Sequence, residues 1–444
     1  MFRCSSPCDE VSRVPNSPRR SDPAPLLAPV LAHVLARLGP GRGRWGRSRD
    51  AYRLRGDGEE IPVERYGDGR HTLLWLAPDY GFRDSHRGLA KALADGGYAV
   101  WLVNLTDALF LPRGPDALRE VDGAVVADLL VAAHAANGGP VAVVAEEYSA
   151  IPALRGIRAW QQRAPETDIL TGAVLFTPAL YAGVPALGRP PPYVPVARAT
   201  NVPILVIQPA ETNNRWYLDG LLERLGSAGA EIYLKPLPEV RSVFYFEEPT
   251  PAEERARKRL AGRLPGVLAL LEHTPHPLAA APEPPAEETG ATGLDHALAP
   301  YRGTVRPQPL DLETASGTPY RLQDYSGQVT VLNFWATWCP PCVEEIPSLN
   351  RLRKHMEGLP FDLVSVNYAE GPAEIRAFMD KVQVDFPVLL DPGGRVAADW
   401  GVFTLPATFV IGPDATIVYG VNAAIAWDAP EVVEALKALL PEGG

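Results

Sequence analysis

Residues 329–342 read Val329-Thr330-Val331-Leu332-Asn333-Phe334-Trp335-Ala336-Thr337-Trp338-Cys339-Pro340-Pro341-Cys342. The apolar half has the length and β-branched content of a buried strand. Val343-Glu344-Glu345-Ile346 then opens a helical pattern, so the cysteine pair falls on a strand-to-helix turn. A helix N-terminus offers unpaired N–H groups and the positive end of the dipole, both of which favour an anion. The thiolate of Cys339 is therefore favoured, with Cys342 placed one turn on to resolve a mixed disulfide. The run predicts dithiol–disulfide exchange.

Working outward, a chain of 444 residues has room for two or three domains. A net charge of −11 and a pI near 5.3 argue against nucleic acid as a partner. No run of about twenty apolar residues occurs, so no integral membrane span is expected. The four cysteines form two close pairs, Cys4 with Cys8 and Cys339 with Cys342. That is too few for a disulfide scaffold, which makes the second pair catalytic rather than structural. Around Cys4 and Cys8 no further ligand stands at zinc-like spacing, and neither a metal nor a cofactor is expected.

Composition divides the chain into four regions. Residues 1–48 are rich in Arg, Pro and Gly and read as a flexible segment. Within it, Arg19-Arg20 ahead of the apolar run around Leu26, Val30 and Leu35 loosely resembles an export signal; Asp9, Glu10, Asp22 and the prolines argue for a structural helix instead. Residues 49–273 alternate short apolar runs with helical patterns, which implies a mostly parallel sheet covered on both faces. Residues 274–300 form a Pro/Ala/Glu linker of semi-extended character. Residues 301–444 make a second α/β unit that holds the cysteine pair.

The second unit resembles the TlpA/ResA-type thiol–disulfide oxidoreductases, a branch of the thioredoxin fold. The matching residues are Phe334-Trp335-Ala336-Thr337-Trp338-Cys339-Pro340-Pro341-Cys342, then Glu345, Pro347 and Thr404-Leu405-Pro406-Ala407-Thr408-Phe409. The resemblance implies a redox-active Cys339–Cys342 disulfide, with Cys339 as attacking thiolate and Cys342 as resolving thiol. It implies a cis Pro406, with Leu405 offering backbone groups and Trp338 an apolar lip to an extended substrate. Pro347 matches the family's helix kink. Glu345 holds the family's carboxylate position and is expected to be partly buried and coupled to the thiols, whereas Glu344 suits a solvent-exposed place. Many thioredoxins carry a buried acid where this chain has Asn333. A peroxidase is the rival within the fold, but Cys339 lacks the preceding Pro-x-x-x-Thr pattern of peroxiredoxins. The implied partners are a protein disulfide, such as that of apocytochrome c, and a membrane thiol donor. The implied location is the periplasm or cell envelope, with the cytoplasm as the alternative.

The stretch 49–273 is more faintly similar to the α/β-hydrolase fold. Three corners carry the resemblance: Ala77-Pro78-Asp79-Tyr80-Gly81, Val144-Ala145-Glu146-Glu147-Tyr148-Ser149, and Val206-Ile207-Gln208-Pro209-Ala210-Glu211. A nucleophile elbow needs Gly-x-Ser-x-Gly, yet Glu147 stands in the serine's place between Ala145 and Ser149. No histidine occurs between His134 and His273, so the base that follows the last strand is missing. Ser149 is a displaced nucleophile in the minor reading. Glu147 and Glu211, with Glu146 nearby, form a candidate carboxylate pair, and Arg241 a candidate salt-bridge partner. His71, His86 and His134 read as surface residues or caps. A non-catalytic recognition domain that retains a pocket is the favoured expectation. The alternatives are a hydrolase with an appended redox regulator and a redox-linked assembly scaffold.

Overall fold

The computed structural model describes residues 11–14, 48–53, 60–287 and 297–441. Cys4, Cys8, the export-like run and residues 288–296 of the linker lie outside them. Two compact units form, Met1–Tyr181 with Tyr193–Glu287, and Ala182–Pro192 with Glu288–Gly444.

In the first unit the strands are β1 (Ser12–Arg13), β2 (Ser48–Arg53), β3 (Glu60–Tyr66), β4 (Thr72–Leu76), β5 (Ala99–Val103), β6 (Val141–Glu146), β7 (Leu170–Phe176), β8 (Ile204–Pro209) and β9 (Ile232–Leu237). They lie in the order β1-β9-β8-β7-β6-β4-β5-β3-β2. From β5 through β4 to β9 the neighbours run parallel, while β3 runs antiparallel to β5. The sheet is thus mixed, because β2 and β3 form a hairpin-like edge whose polar-rich sequence hides its strand character from a hydropathy reading. Strands β4, β5, β6, β7 and β8 are buried along their whole length, as expected when helices cover both faces. One face packs Trp75 against Phe82, Phe176 and Phe244.

The helix Pro251–Glu272 that closes this face starts at a reciprocal cap. The Thr250 hydroxyl accepts from the Glu253 N–H at 3.3 Å, and the Glu253 carboxylate accepts from the Thr250 N–H at 2.8 Å. Arg241 also bonds Glu253, at 3.0 and 3.2 Å, and so is not the partner of Glu147 or Glu211.

From Thr274 to Glu287 the Pro/Ala/Glu stretch forms neither helix nor strand. Up to Glu287 it is fixed to the first unit. Gln161 donates to the Pro277 carbonyl at 3.0 Å, Asn201 to that of Ala279 at 2.9 Å, and Arg224 to Glu287 at 2.9 Å. Prolines leave carbonyls without matching N–H groups, and the buried Gln161 and Asn201 side chains supply the missing donors.

The second unit contains β10 (Ala299–Pro300), β11 (Leu310–Thr314), β12 (Pro319–Leu322), β13 (Val329–Trp335), β14 (Phe361–Tyr368), β15 (Val388–Asp391), β16 (Ala407–Ile411) and β17 (Ile417–Val421). Their order is β10-β17-β16-β13-β14-β15-β11-β12. Central β13 pairs parallel with β14 and antiparallel with β16. All its side chains are buried, so Val329, Val331 and Trp335 serve one core and Leu332 and Phe334 the other. Each such aliphatic side chain contributes roughly 1.5–3 kcal/mol. The helix Pro340–His355 lays Ile346, Leu349 and Leu352 on the first of these cores.

Gly172 tests the first sheet. It lies beside a register shift between β6 and β7, with φ +136° and the Pro203 carbonyl 2.4 Å from where a Cβ would stand. Gly172→Ala is expected to cost about 2 kcal/mol, read as a lowered urea midpoint.

Candidate functional site

At the end of β13 the chain turns through Ala336, Thr337 and Trp338, and Cys339 becomes the N-cap of the helix Pro340–His355. Cys339 and Cys342 are joined in a disulfide with their Cα atoms 5.3 Å apart. Pro340 and Pro341 occupy the first helical positions, where a missing N–H costs nothing. Cys342 is fully buried, Cys339 keeps 6% of its surface, and Trp338 stands 53% exposed beside it. Trp338 is therefore no core aromatic. The Leu405–Pro406 bond is cis and leads into β16, where Ala407 pairs with Phe334 of the strand that delivers the disulfide. Leu405 packs against the core that contains both cysteines.

Glu345 is buried and Glu344 exposed, as their helix positions require. One Glu345 oxygen accepts from Asn333 Nδ2 at 2.8 Å and the other from Trp427 Nε1 at 3.1 Å. Asn333 also donates to Thr408 Oγ1 at 2.9 Å, tying the carboxyl to β16. Burial pushes the Glu345 carboxyl up to about 7, against the opposing pull of the Trp427, Asn333 and Ile425 donors. Asn333 thus does not leave its strand without an acid. It hands the place to Glu345, one helical turn after Cys342.

Two further groups here escape a sequence reading. Glu370, buried after β14, accepts from the Thr337 N–H at 2.8 Å, from the Thr337 hydroxyl and from Asn367 at 2.8 Å, fixing the turn that carries Trp338. Trp427 lies beyond β17, far from the motif. Its only signal is a large aromatic residue in the Ala-rich segment Ala423-Ala424-Ile425-Ala426-Trp427-Asp428, where no periodic partner explains it.

In the first unit, Glu147 sits in the left-handed region at φ +50° on the turn from β6 into the helix Ala150–Arg163. Burial first, then the charges of Glu146 and Asp79, raise its carboxyl well above the usual range. Glu211 is exposed and is not among the groups that shift Glu147; Asp79 takes that part. Burial likewise raises Asp79. Ser149 is buried and locked to the backbone, accepting from the Glu146 N–H at 2.9 Å and bonding the Glu146 carbonyl at 2.7 Å. That geometry leaves it no role as a displaced nucleophile.

His86 is no surface residue. It caps its own helix through the Arg83 N–H, and its Nε2 meets the buried Glu146 carboxylate at 2.8 Å. The sequence places it 60 residues from Glu146, so only the pairing of β4 with β6 brings them together. A cleft of about 410 Å³ opens nearby, lined by Asp79, Tyr80, Asn104, Thr106 and Arg113 among others. Among the described residues no cluster suited to a metal ion is found.

The second unit is a thioredoxin-like domain within a mixed α/β chain: residues 307–420 match the AhpC/TSA family. Among characterised relatives, the thiol-disulfide oxidoreductase ResA of Bacillus subtilis is 37% identical over 107 residues, 24% of this chain and 60% of that protein. The thioredoxin-like protein YneN of Bacillus subtilis is 37% identical over 105 residues, 23% of this chain and 61% of its own length. The chain thus spans about three fifths of these relatives. The crystal structure of StoA from Bacillus subtilis aligns at 24% identity and a TM-score of 0.26, covering 31% of this chain and 98% of that one.

The Glu345 environment has a consequence for stability. An unfolded carboxyl ionises near 4.5 and this one near 7, so its contribution is whole below pH 4.5 and lost as the pH rises through 7. The loss amounts to on the order of 3 kcal/mol. Glu345→Gln is expected to flatten the fall in melting temperature between pH 5 and pH 8; an unchanged slope counts against the assignment.

Proposed function

We propose that the protein is a thiol–disulfide oxidoreductase that reduces disulfides in protein substrates. The observation that carries this reading is the Cys339–Cys342 pair at a helix N-terminus, with a buried carboxyl one turn further on. In the reduced protein the Cys339 thiolate attacks one sulfur of a substrate disulfide. The substrate S–S bond breaks, one substrate sulfur leaves as thiolate, and a mixed disulfide forms. Glu345 takes the Cys342 proton, and the Cys342 thiolate then attacks Cys339 Sγ, releasing the second substrate sulfur. The substrate gains two electrons, taking one proton from Cys342 by way of Glu345 and the other from water, into which Cys339 released its own on ionising; the protein is left as the disulfide. Trp338, Leu405 and Pro406 form the lip along which an extended chain lies. The absence of a Pro-x-x-x-Thr lead-in at Cys339 favours this chemistry over a peroxidase. A membrane thiol donor recharges the pair, and apocytochrome c, in the periplasm or cell envelope, is the substrate that the family resemblance suggests.

The first unit, in this reading, is a hydrolase-like recognition domain without catalysis. Its support is the strand order with β3 reversed and the left-handed residue on the turn after β6, where a hydrolase keeps its nucleophile. There the residue is Glu147, Ser149 is bound to the backbone, and His86 is occupied by Glu146.

Cys339→Ser is expected to lower insulin disulfide reduction by at least 10³-fold, roughly to the uncatalysed level; retained turnover would sink the assignment. Across a panel of esters and peptides the full chain is expected to show no hydrolysis. Turnover that disappears in Glu147→Ala would instead establish the hydrolase.

A further inference from the structure

Glu345 is held by three donors, Asn333 from β13 and the Ile425 N–H and the Trp427 indole from the segment after β17. Trp427 is fully buried and sends its indole N–H to Glu345 Oε2 at 3.1 Å. Its backbone is fixed as well. Ser348, on the same helix as Glu345, accepts from the Trp427 N–H at 3.2 Å and donates to the Glu345 carbonyl at 2.8 Å. The segment after β17 is thereby stapled to the helix that carries the disulfide, with the indole directed at the carboxyl. An indole is a donor only, so it serves a carboxylate fully and a carboxylic acid only through an oxygen that keeps a lone pair free.

We propose that Trp427 is a positioning residue for thiol–disulfide exchange, holding the Glu345 carboxylate in the orientation that accepts the Cys342 proton. The proposal rests on the role given to Glu345 above. The groups that face this carboxyl are few. Cys339 and Cys342 precede it on the helix, Asn333 and Thr408 approach from β13 and β16, and the Ile425 N–H joins Trp427. Glu344 points to solvent. Asp428, next to Trp427, pairs with Arg351 of the helix at 2.5 Å and holds its charge at the surface. No charge offsets the burial of Glu345, so neutral donors alone favour its ionised form. Trp427 is the first of them, and losing it shifts the balance towards the acid.

The test follows the pH dependence of mixed-disulfide resolution in the full chain with a small peptide disulfide. Trp427→Phe keeps the packing volume nearly whole and removes the donor. It is expected to move the midpoint of the rising limb up by about one pH unit, a roughly tenfold loss of rate below the midpoint. In a Glu345→Gln background the same change is expected to add nothing. A Trp427→Phe midpoint that stays in place, while Glu345→Gln removes the limb, overturns the proposal and leaves the role of Glu345 standing. A limb untouched by Glu345→Gln overturns that role and the proposal with it. Should Trp427→Phe not fold, the chain labelled with ¹⁵N-tryptophan gives the same answer. The indole N–H signal of Trp427 is expected to titrate with the rate midpoint and to become flat in Glu345→Gln; a signal that ignores Glu345 overturns the proposal.

Discussion

A carboxyl taken out of water has to be met by donors or give up its charge, and Glu345 imposes that requirement on the whole surroundings of the disulfide. Asn333 on the central strand, itself bonded to Thr408 on the antiparallel neighbour, and Trp427 beyond the last strand converge on it. Each comes from a different element, so the carboxyl links the strand that delivers Cys339, the strand that follows Pro406 and the helix that carries Cys342. Because its partners are neutral, the carboxyl keeps its proton close to neutrality, where a group that exchanges protons with a thiol is most useful.

The turn ahead of Cys339 shows a second device of the same kind. Glu370 satisfies both the N–H and the hydroxyl of Thr337, so Trp338 is presented to solvent from an anchored backbone. An exposed indole on a fixed loop keeps its apolar surface available without the entropy that ordering a free loop would cost. The two acids differ in place, Glu370 holding the loop and Glu345 buried on the helix one turn after Cys342.

The first unit closes its buried polar groups on one another around the turn after β6. Its sharpest turn, at Glu147, sets a carboxyl where the backbone is strained and the neighbours are acidic, and the histidine that reaches this region is bound to Glu146. The Ser149 hydroxyl and the His86 imidazole both close their hydrogen bonds on the protein itself. Buried polar groups paired in this way rigidify a site instead of activating it.

Much of this was legible in the chain. Short apolar runs marked residues 49–273 as a mostly parallel sheet, and the Cys339–Cys342 spacing, the aromatic lead-in and Leu405-Pro406 marked the redox centre. Burial of Glu345 beside exposed Glu344 is what the family resemblance of the motif implies. Local residue order determined these features because each depends on neighbours a few positions away. The tertiary structure alone decided that Trp427 meets Glu345, that Thr408 meets Asn333, that Glu370 holds Thr337, that His86 finds Glu146 and that Arg241 turns to Glu253. It also fixed the Pro/Ala/Glu stretch to the first unit as far as Glu287. Partners of this kind are separated by tens of residues and share no period, so only strand pairing and the need to satisfy each buried polar group bring them together.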